Sequence, residues 1–372
     1  MRLFFWVCVA LIIYHFLVYP GIVWILARII PRPVKKKEVF PKVSLVIPIY
    51  NEENIAEEKI LNSLNLDYPK EKLEILFASD GSDDGTEDII KRYSDKGIRL
   101  FANPENTGKT ELINRAVPRA EGEIVVLSDA SGILNRGSIR EMVKNFNDPE
   151  VGCVCGIYRI SSRDKSQVDE FEERYFDFET ALKINESLIY TTLGGPGAIY
   201  AIRKNLFRPL ERDLINEDFL VSSNVVMQGF RTVYEEKALL HDRISTALKD
   251  EFRRRIRIGA GNWQQAFLMK DFLKTKRYFI IWQLLSHKIL RTFVPFPLIF
   301  ILAGSMYLDG LIYRIILTMS MSFISLASIG WILHRKKISN ALFYVPFYIC
   351  IGSLAYLVGT YKILFAKERI KW

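Results

Sequence analysis

The sequence predicts an α/β fold with a mostly parallel sheet, joined at both ends to transmembrane α-helices. Three observations carry that expectation. Apolar runs of strand length alternate with helical segments from Val43 to Ser131, the order that builds a parallel, doubly wound sheet. Acidic residues follow three of those runs, Glu52, Asp80 and Asp129, and in such a sheet the strand ends share the edge where ligands bind. Finally, hydrophobic residues make up 49% of the chain beside 25% charged residues, and the excess is gathered at the two ends.

The first 30 residues are apolar almost throughout, from Leu3 to Ile30 with Arg28 near the end, longer than the roughly 20 residues a membrane span needs. A secretory signal would be shorter and would finish at small residues, whereas this run leads into Arg28, Pro31, Arg32 and Lys35-Lys36-Lys37. We expect a retained helix over 1–30 and a basic linker over 31–42. The net charge of +9 is placed largely beside the hydrophobic runs, at 28–37, 270–291, 335–337 and 362–371. That placement matches a surface of membrane lipids and the positive-inside rule, and argues against nucleic acid. The four cysteines form no disulfide framework or zinc spacing. Cys153 and Cys155 alternate along VGCVCGIY as neighbours on one strand face do, and free cysteines suit a reducing compartment.

In chain order, VSLVIPIY (43–50) reads as a first buried strand, followed by Asn51-Glu52-Glu53-Asn54 and a helix from Ile55. Leu73–Ala78 is the second, stopping at a turn with Asp80, Asp83 and Asp84 before a helix near Thr86. That turn has a plain reading as Asp/Gly turn chemistry with a Thr cap. GIRLFAN (97–103) is a third strand, TGKTELINRAV (107–117) a helix, and EIVVLSDAS (123–131) a fourth strand ending in Asp129. Residues 103–110, NPENTGKT, approximate a P-loop, which would make the chain a membrane-anchored NTPase. Asn103, however, stands where that motif needs glycine, and Pro104 removes an amide from the phosphate wrap. No G-x-G-x-x-G follows a strand, so a dinucleotide site lacks its fingerprint.

VSLVIPIYNEE, ASDGSDDGT, NTGKTELINRA, EIVVLSDAS, GGPGAIYAIRK (194–204) and INEDFLVSSNVVMQGFRTVYEE (215–236) resemble, in order, the successive motifs of membrane-integrated family 2 glycosyltransferases. Among these are the chitin-oligosaccharide, hyaluronan, poly-N-acetylglucosamine and cellulose synthases. The resemblance spans Val43 to Gln264. It implies a GT-A fold, Rossmann-like, over 43–265, using a nucleotide-sugar donor, usually a UDP-sugar, with Mg²⁺ or Mn²⁺. Asp80 would hold the uracil or ribose end of the nucleotide, with Glu52 and Asp83 nearby, and Lys109 would meet the nucleotide or its diphosphate. Asp129 would be the first acid of a D-x-D motif that brings the metal to the diphosphate, a role suited to hard oxygen ligands. The motif's third position is Ser131, a departure that leaves a hydroxyl to complete the metal shell. His241 is a possible added ligand, although a lone His is more often structural.

Asp218, in Asn216-Glu217-Asp218, matches the acid of the family's T-E-D motif and would be the general base, giving single displacement with inversion. Its plain alternative is an acidic residue favouring a helix N-terminus. Gly195 and Glu217 would lie at the acceptor, although GGPG also serves as a turn. FRRRIRIGAGNWQQ (252–265) stands where the family carries Q-x-x-R-W; Arg254 and Arg255 would clamp the diphosphate and Trp263 would replace the aromatic acceptor platform. The alternative there is a basic helix lying on a membrane. SQVDEFEERYFDFETALKINESLIY (166–190) reads as an amphipathic helix whose aromatics pack inward.

Residues 266–292 mix Lys and Arg with aromatics as an interfacial helix does, and 293–372 hold the C-terminal spans, near 293–309, 311–333 and 341–364. With the basic linker inside, the protein is expected to be a multi-pass membrane protein whose catalytic domain is cytoplasmic. Three C-terminal spans would put Lys367, Arg369 and Lys371 outside, against the same rule, and leave the number of spans open. The function expected is an inverting transfer of a hexose or N-acetylhexosamine from a UDP-sugar to a polysaccharide or lipid-linked acceptor. The alternatives are the NTPase above and a non-catalytic subunit that keeps the fold.

Overall fold

The computed structural model describes residues 1–160, 167–212, 214–242, 248–336, 338 and 340–366; Lys367, Arg369 and Lys371 lie outside them. The chain forms two compact units, one gathering Ala27–Ser161 with Thr180–Ile244, the other Met1–Leu26, Ser162–Glu179 and Ser245–Glu368.

The first unit is built on one eight-stranded sheet. Its strands are β1 (Val43–Ile49), β2 (Leu73–Asp80), β3 (Ile98–Asn103), β4 (Ile124–Ser128), β5 (Ile133–Leu134), β6 (Val151–Ile160), β7 (Ile199–Arg203) and β8 (Arg231–Asp242), in the order β3-β2-β1-β4-β7-β6-β8-β5. β1 to β4 are mutually parallel, in the register Val43↔Leu73, Val43↔Ile124 and Ile75↔Ile98. β1 and β4 read as mostly apolar runs because they lie inside the sheet, and every residue of both is buried. β7 runs antiparallel between β4 and β6, and β6 is parallel to β8. The C-terminal ends of β1, β2, β3, β4, β6 and β8 therefore share one edge with the start of β7. Ile47, Phe77, Val126, Ile199 and Leu240 belong to a single apolar core beneath that edge.

The basic linker is partly committed to this unit. Arg32 donates to Glu150 at 2.6 Å and its guanidinium lies 5.2 Å from the Tyr190 ring centre, while Lys36 pairs with the buried Glu235 at 2.6 Å.

Among the described residues, three helices are long and apolar enough to cross a membrane: Arg2–Ile29, Leu311–Arg335 and Leu342–Phe365. A fourth apolar pair, Tyr278–Phe293 and Pro295–Tyr307, bends by 55°. The bend falls at Pro295 and Pro297, where ring closure removes backbone donors. Residues 266–292 do not make one helix. A 3₁₀ segment, Met269–Lys274, precedes a helix that starts at Tyr278 and loosens into a π-turn over Leu284–Ile289. Several polar groups there pair with one another, as an apolar surrounding favours: Tyr14 bonds Ser286 at 2.7 Å, Trp282 donates to the Tyr14 hydroxyl at 2.8 Å, and Glu179 meets His287 and Arg291 at 3.1 and 3.0 Å.

Candidate active site

The loops after β1 and β2 are stitched to each other across the sheet edge. Asn51 adopts φ 51°, a conformation asparagine tolerates. Its side chain donates to Asp83 at 2.6 Å and accepts from the Asp83 amide at 3.0 Å. The Glu52 amide donates to Thr86 Oγ1 at 2.9 Å and the Glu53 amide to Asp84 at 3.1 Å. Burial, with the fields of Asp84 and Asp242, pushes the Glu52 carboxyl above its usual range.

Asp80 ends β2 fully buried, which a carboxylate tolerates only when it is heavily bonded. It accepts from the Thr107 amide at 3.1 Å, the Thr107 hydroxyl at 3.0 Å, the Gly108 amide at 2.7 Å and Asn103 Nδ2 at 3.0 Å. Gly81 has φ 73° and a Cβ there would lie 2.8 Å from the Glu105 backbone, so glycine is needed for the loop to pass. The Thr107 and Gly108 amides that a phosphate cradle would present are thus turned onto Asp80, and the near-P-loop is no such cradle. Asp80→Asn puts an amide donor where one carboxylate oxygen accepts. We expect it to lower stability by about 3 kcal/mol, read as a fall in thermal midpoint; an unchanged midpoint would remove Asp80 as the organiser of this loop.

Lys109 begins the helix Lys109–Arg119 and reaches between an acid at a strand end and one at a helix start. Its Nζ lies 2.8 Å from Asp129 and 2.7 Å from Glu217. Burial opposes its charge, but Asp129 and Glu217 outweigh that and raise the ammonium above its ordinary value. Glu217, 5% exposed, and Asp218 form the first turn of the helix Glu217–Met227, where the dipole favours anions. Asp218 is pushed up to about 6, first by burial and then by Glu217, with Lys109 pulling the other way. A Cβ on Gly197 would come within 3.3 Å of the Asp218 carboxylate, so glycine leaves that approach clear. Gly195 serves packing, since a Cβ there would lie 2.3 Å from Cys155 Sγ. The Asp129 amide donates to Ala198 O at 3.1 Å, tying the strand end to the GGPG segment.

Ser131, next along the turn, donates to Asp242 Oδ2 at 3.2 Å. Behind the turn stands Lys59, fully buried, donating to Ser128 Oγ at 2.8 Å and to Gly132 O. Burial lowers its ammonium to about 7. Neither Asp242 nor Lys59 was expected from sequence; Asp242 adjoins His241 at the close of an apolar strand, and that position was the available signal.

The sheet unit therefore holds Glu52, Asp80, Asp83, Lys109, Asp129, Ser131, Gly195, Glu217 and Asp218. Arg254, Arg255 and Trp263 stand on the helix Leu248–Leu268 in the other unit. Arg255 lies 3.5 Å over the Tyr348 ring and donates to Tyr348 O at 3.3 Å. Trp263 is 8% exposed, donates to Thr360 at 2.9 Å and packs on Phe293 at 4.9 Å between ring centres, so its ring is committed to that helix packing.

The profile of glycosyl transferase family 2 matches residues 44–207. The poly-beta-1,6-N-acetyl-D-glucosamine synthase of Staphylococcus aureus (strain MSSA476) is 27% identical over 246 residues, covering 63% of this chain and 58% of that protein's length. The probable glycosyltransferase YdaM of Bacillus subtilis (strain 168) is 27% identical over 326 residues, 82% of this chain and 74% of that one. Among solved structures, the mannosyltransferase PcManGT from Pyrobaculum calidifontis, in complex with GDP-Man and Mn²⁺, superposes with a TM-score of 0.73 at 22% identity, covering 98% of this chain and 100% of that one. That likeness shows the fold, GT-A. Residues 44–207 are therefore a glycosyl transferase family 2 domain, carried on a GT-A fold.

Proposed function

We propose that the protein moves a hexose or N-acetylhexosamine from a UDP-sugar onto a polysaccharide or lipid-linked acceptor, with inversion, at the cytosolic face of a membrane. The observation that carries this is Asp218, a carboxyl raised to about 6 in the first turn of a helix, beside Glu217, which the largely buried Lys109 ties to Asp129. As general base, Asp218 takes the proton of the acceptor hydroxyl while that oxygen bonds to the anomeric carbon. The bond from that carbon to the diphosphate breaks, and the nucleoside diphosphate leaves. One base and one displacement invert the centre.

Asp129 and Ser131 fit a divalent cation, Mg²⁺ or Mn²⁺. Both offer hard oxygen donors, and the Asp129 side chain is 34% exposed at the strand end. Among the described residues no group of three or more His, Cys, Asp or Glu is arranged to hold a metal alone, so the diphosphate oxygens would share the shell. The cation would neutralise charge on the leaving diphosphate. Asp80 would fix the 103–108 loop beside the nucleotide, with Glu52 and Asp83 at the same edge. Arg255 and Trp263 act in helix packing. The polysaccharide acceptor is supported by the activity in the Staphylococcus aureus relative's name. Membrane placement rests on the apolar helices with their basic flanks.

The test is nucleoside-diphosphate release by the detergent-purified chain, incubated with UDP-N-acetylglucosamine, UDP-glucose and GDP-mannose in Mg²⁺ or Mn²⁺. Release from one UDP-sugar is the expected result. Turnover of GDP-mannose alone would overturn the UDP assignment, and turnover of no donor with added acceptor oligosaccharide would favour a non-catalytic subunit.

A further inference from the structure

Asp242 ends β8, the final strand of the sheet unit, and its Oδ2 accepts from Ser131 Oγ at 3.2 Å and from the Tyr158 hydroxyl at 3.4 Å. The register explains this meeting across 111 residues of sequence. Antiparallel pairing of Ile133 with His241 and Leu134 with Leu240 brings the residues just before Ile133 opposite the end of β8. Successive strand residues point to opposite faces, so His241 and Asp242 cannot both reach the turn, and the one that reaches it is Asp242. A Cβ on Gly132 would lie 2.5 Å from the Leu240 methyls, so β8 is packed directly against the turn.

Lys59 reports the same arrangement from behind. It bonds Ser128 and Gly132, the residues bracketing Asp129–Ser131, and the fields of Asp129 and Asp242 both act to hold its charge against burial. Two carboxylates from distant parts of the chain thus flank one turn, with the hydroxyl of Ser131 on one of them.

We propose that Asp242 supplies the second carboxylate of the cation site, from the end of β8, in place of the acid that a D-x-D motif would carry at position 131. This rests on the reading of Asp129 as a cation ligand. A serine hydroxyl offers a hard but neutral oxygen, whereas a carboxylate supplies charge as well as an oxygen. Ser131 then serves as the donor that orients Asp242, as a group hydrogen-bonded to a ligand does.

The experiment follows Mn²⁺ alone, titrated into the detergent-solubilised full chain, by the electron paramagnetic resonance signal of free aqueous Mn²⁺. Asp242→Asn is expected to weaken binding by at least about tenfold, and Ser131→Ala by less, because it removes only the orienting bond. Moving the carboxylate back, in Asp242→Asn with Ser131→Asp, should restore most of the affinity. Recovery in that double variant also shows that the single variant had not merely misfolded. The proposal is overturned by Asp242→Asn binding Mn²⁺ as the parent does while Asp129→Asn loses it. If Asp129→Asn also binds normally, the cation reading of the turn falls and takes the proposal with it, while donor turnover by the parent would still stand for the transferase.

Discussion

Asp218→Asn is expected to slow sugar transfer by about 100- to 10,000-fold, the range a positioned general base contributes, with little change in the affinity for the donor. The pH profile separates this from a packing defect. A base works ionised, so the parent rate should rise with pH through about 6, the value to which burial and Glu217 push this carboxyl, and the variant should lack that limb. The stability sign runs the other way. A carboxyl whose folded value lies above its ordinary 3.8 contributes stability that is complete below about that pH and is lost as pH rises through about 6. At neutral pH the ionised Asp218 is a burden on the fold, and the asparagine variant should melt at or above the parent temperature. A variant as fast as the parent, or one that keeps the acid limb, would remove Asp218 as the base.

Lys109→Met is expected to produce the largest loss of stability, about 3–5 kcal/mol, the cost of removing one partner from a buried ion pair. Methionine nearly fills the lysine volume, but Glu217 and Asp129 lose their shared cation while Glu217 stays 5% exposed. Two consequences distinguish this from a simple loss of packing. Acidification should return part of the stability, because protonation removes the uncompensated charge. Lys109→Met combined with Glu217→Gln should melt closer to the parent than Lys109→Met alone, a coupling a double-mutant cycle measures. A thermal midpoint unmoved by Lys109→Met would mean the ammonium is not held as described.

Most of the parallel half of the sheet was legible in the sequence. Val43–Ile49 and Ile124–Ser128 are unbroken apolar runs of strand length that stop at acidic turns, a local pattern that needs no knowledge of partners. The other half was less so. β7 inserts antiparallel between β4 and β6, and the β6 partner, β8, begins 71 residues beyond the end of β6, pairings that no window of sequence reports. The candidate spans were legible for the same reason as β1: Arg2–Ile29 is long and apolar enough to cross a membrane, a property of length and composition alone. The single expected helix over 266–292 was not, because basic and aromatic residues suit an interfacial surface and a buried polar contact equally well. There, His287 meets Glu179 across 108 residues.

The sequence by itself determined which chemistry the sheet edge can hold. Acids after three strands, a lysine at the next helix start, and Asn216-Glu217-Asp218 before a helix are set by residue type and order. Only the tertiary structure decided what each group faces. Asp80 turns its oxygens onto Thr107 and Gly108, Lys109 is clamped between Asp129 and Glu217, Trp263 is spent on Thr360, and Asp242 comes to Ser131. The physical reason is that a buried charge or donor must find its partner wherever the packed fold supplies one. Those partners lie 20 to 111 residues away along the chain, where strand register and loop closure, and not local sequence, set the direction of a side chain.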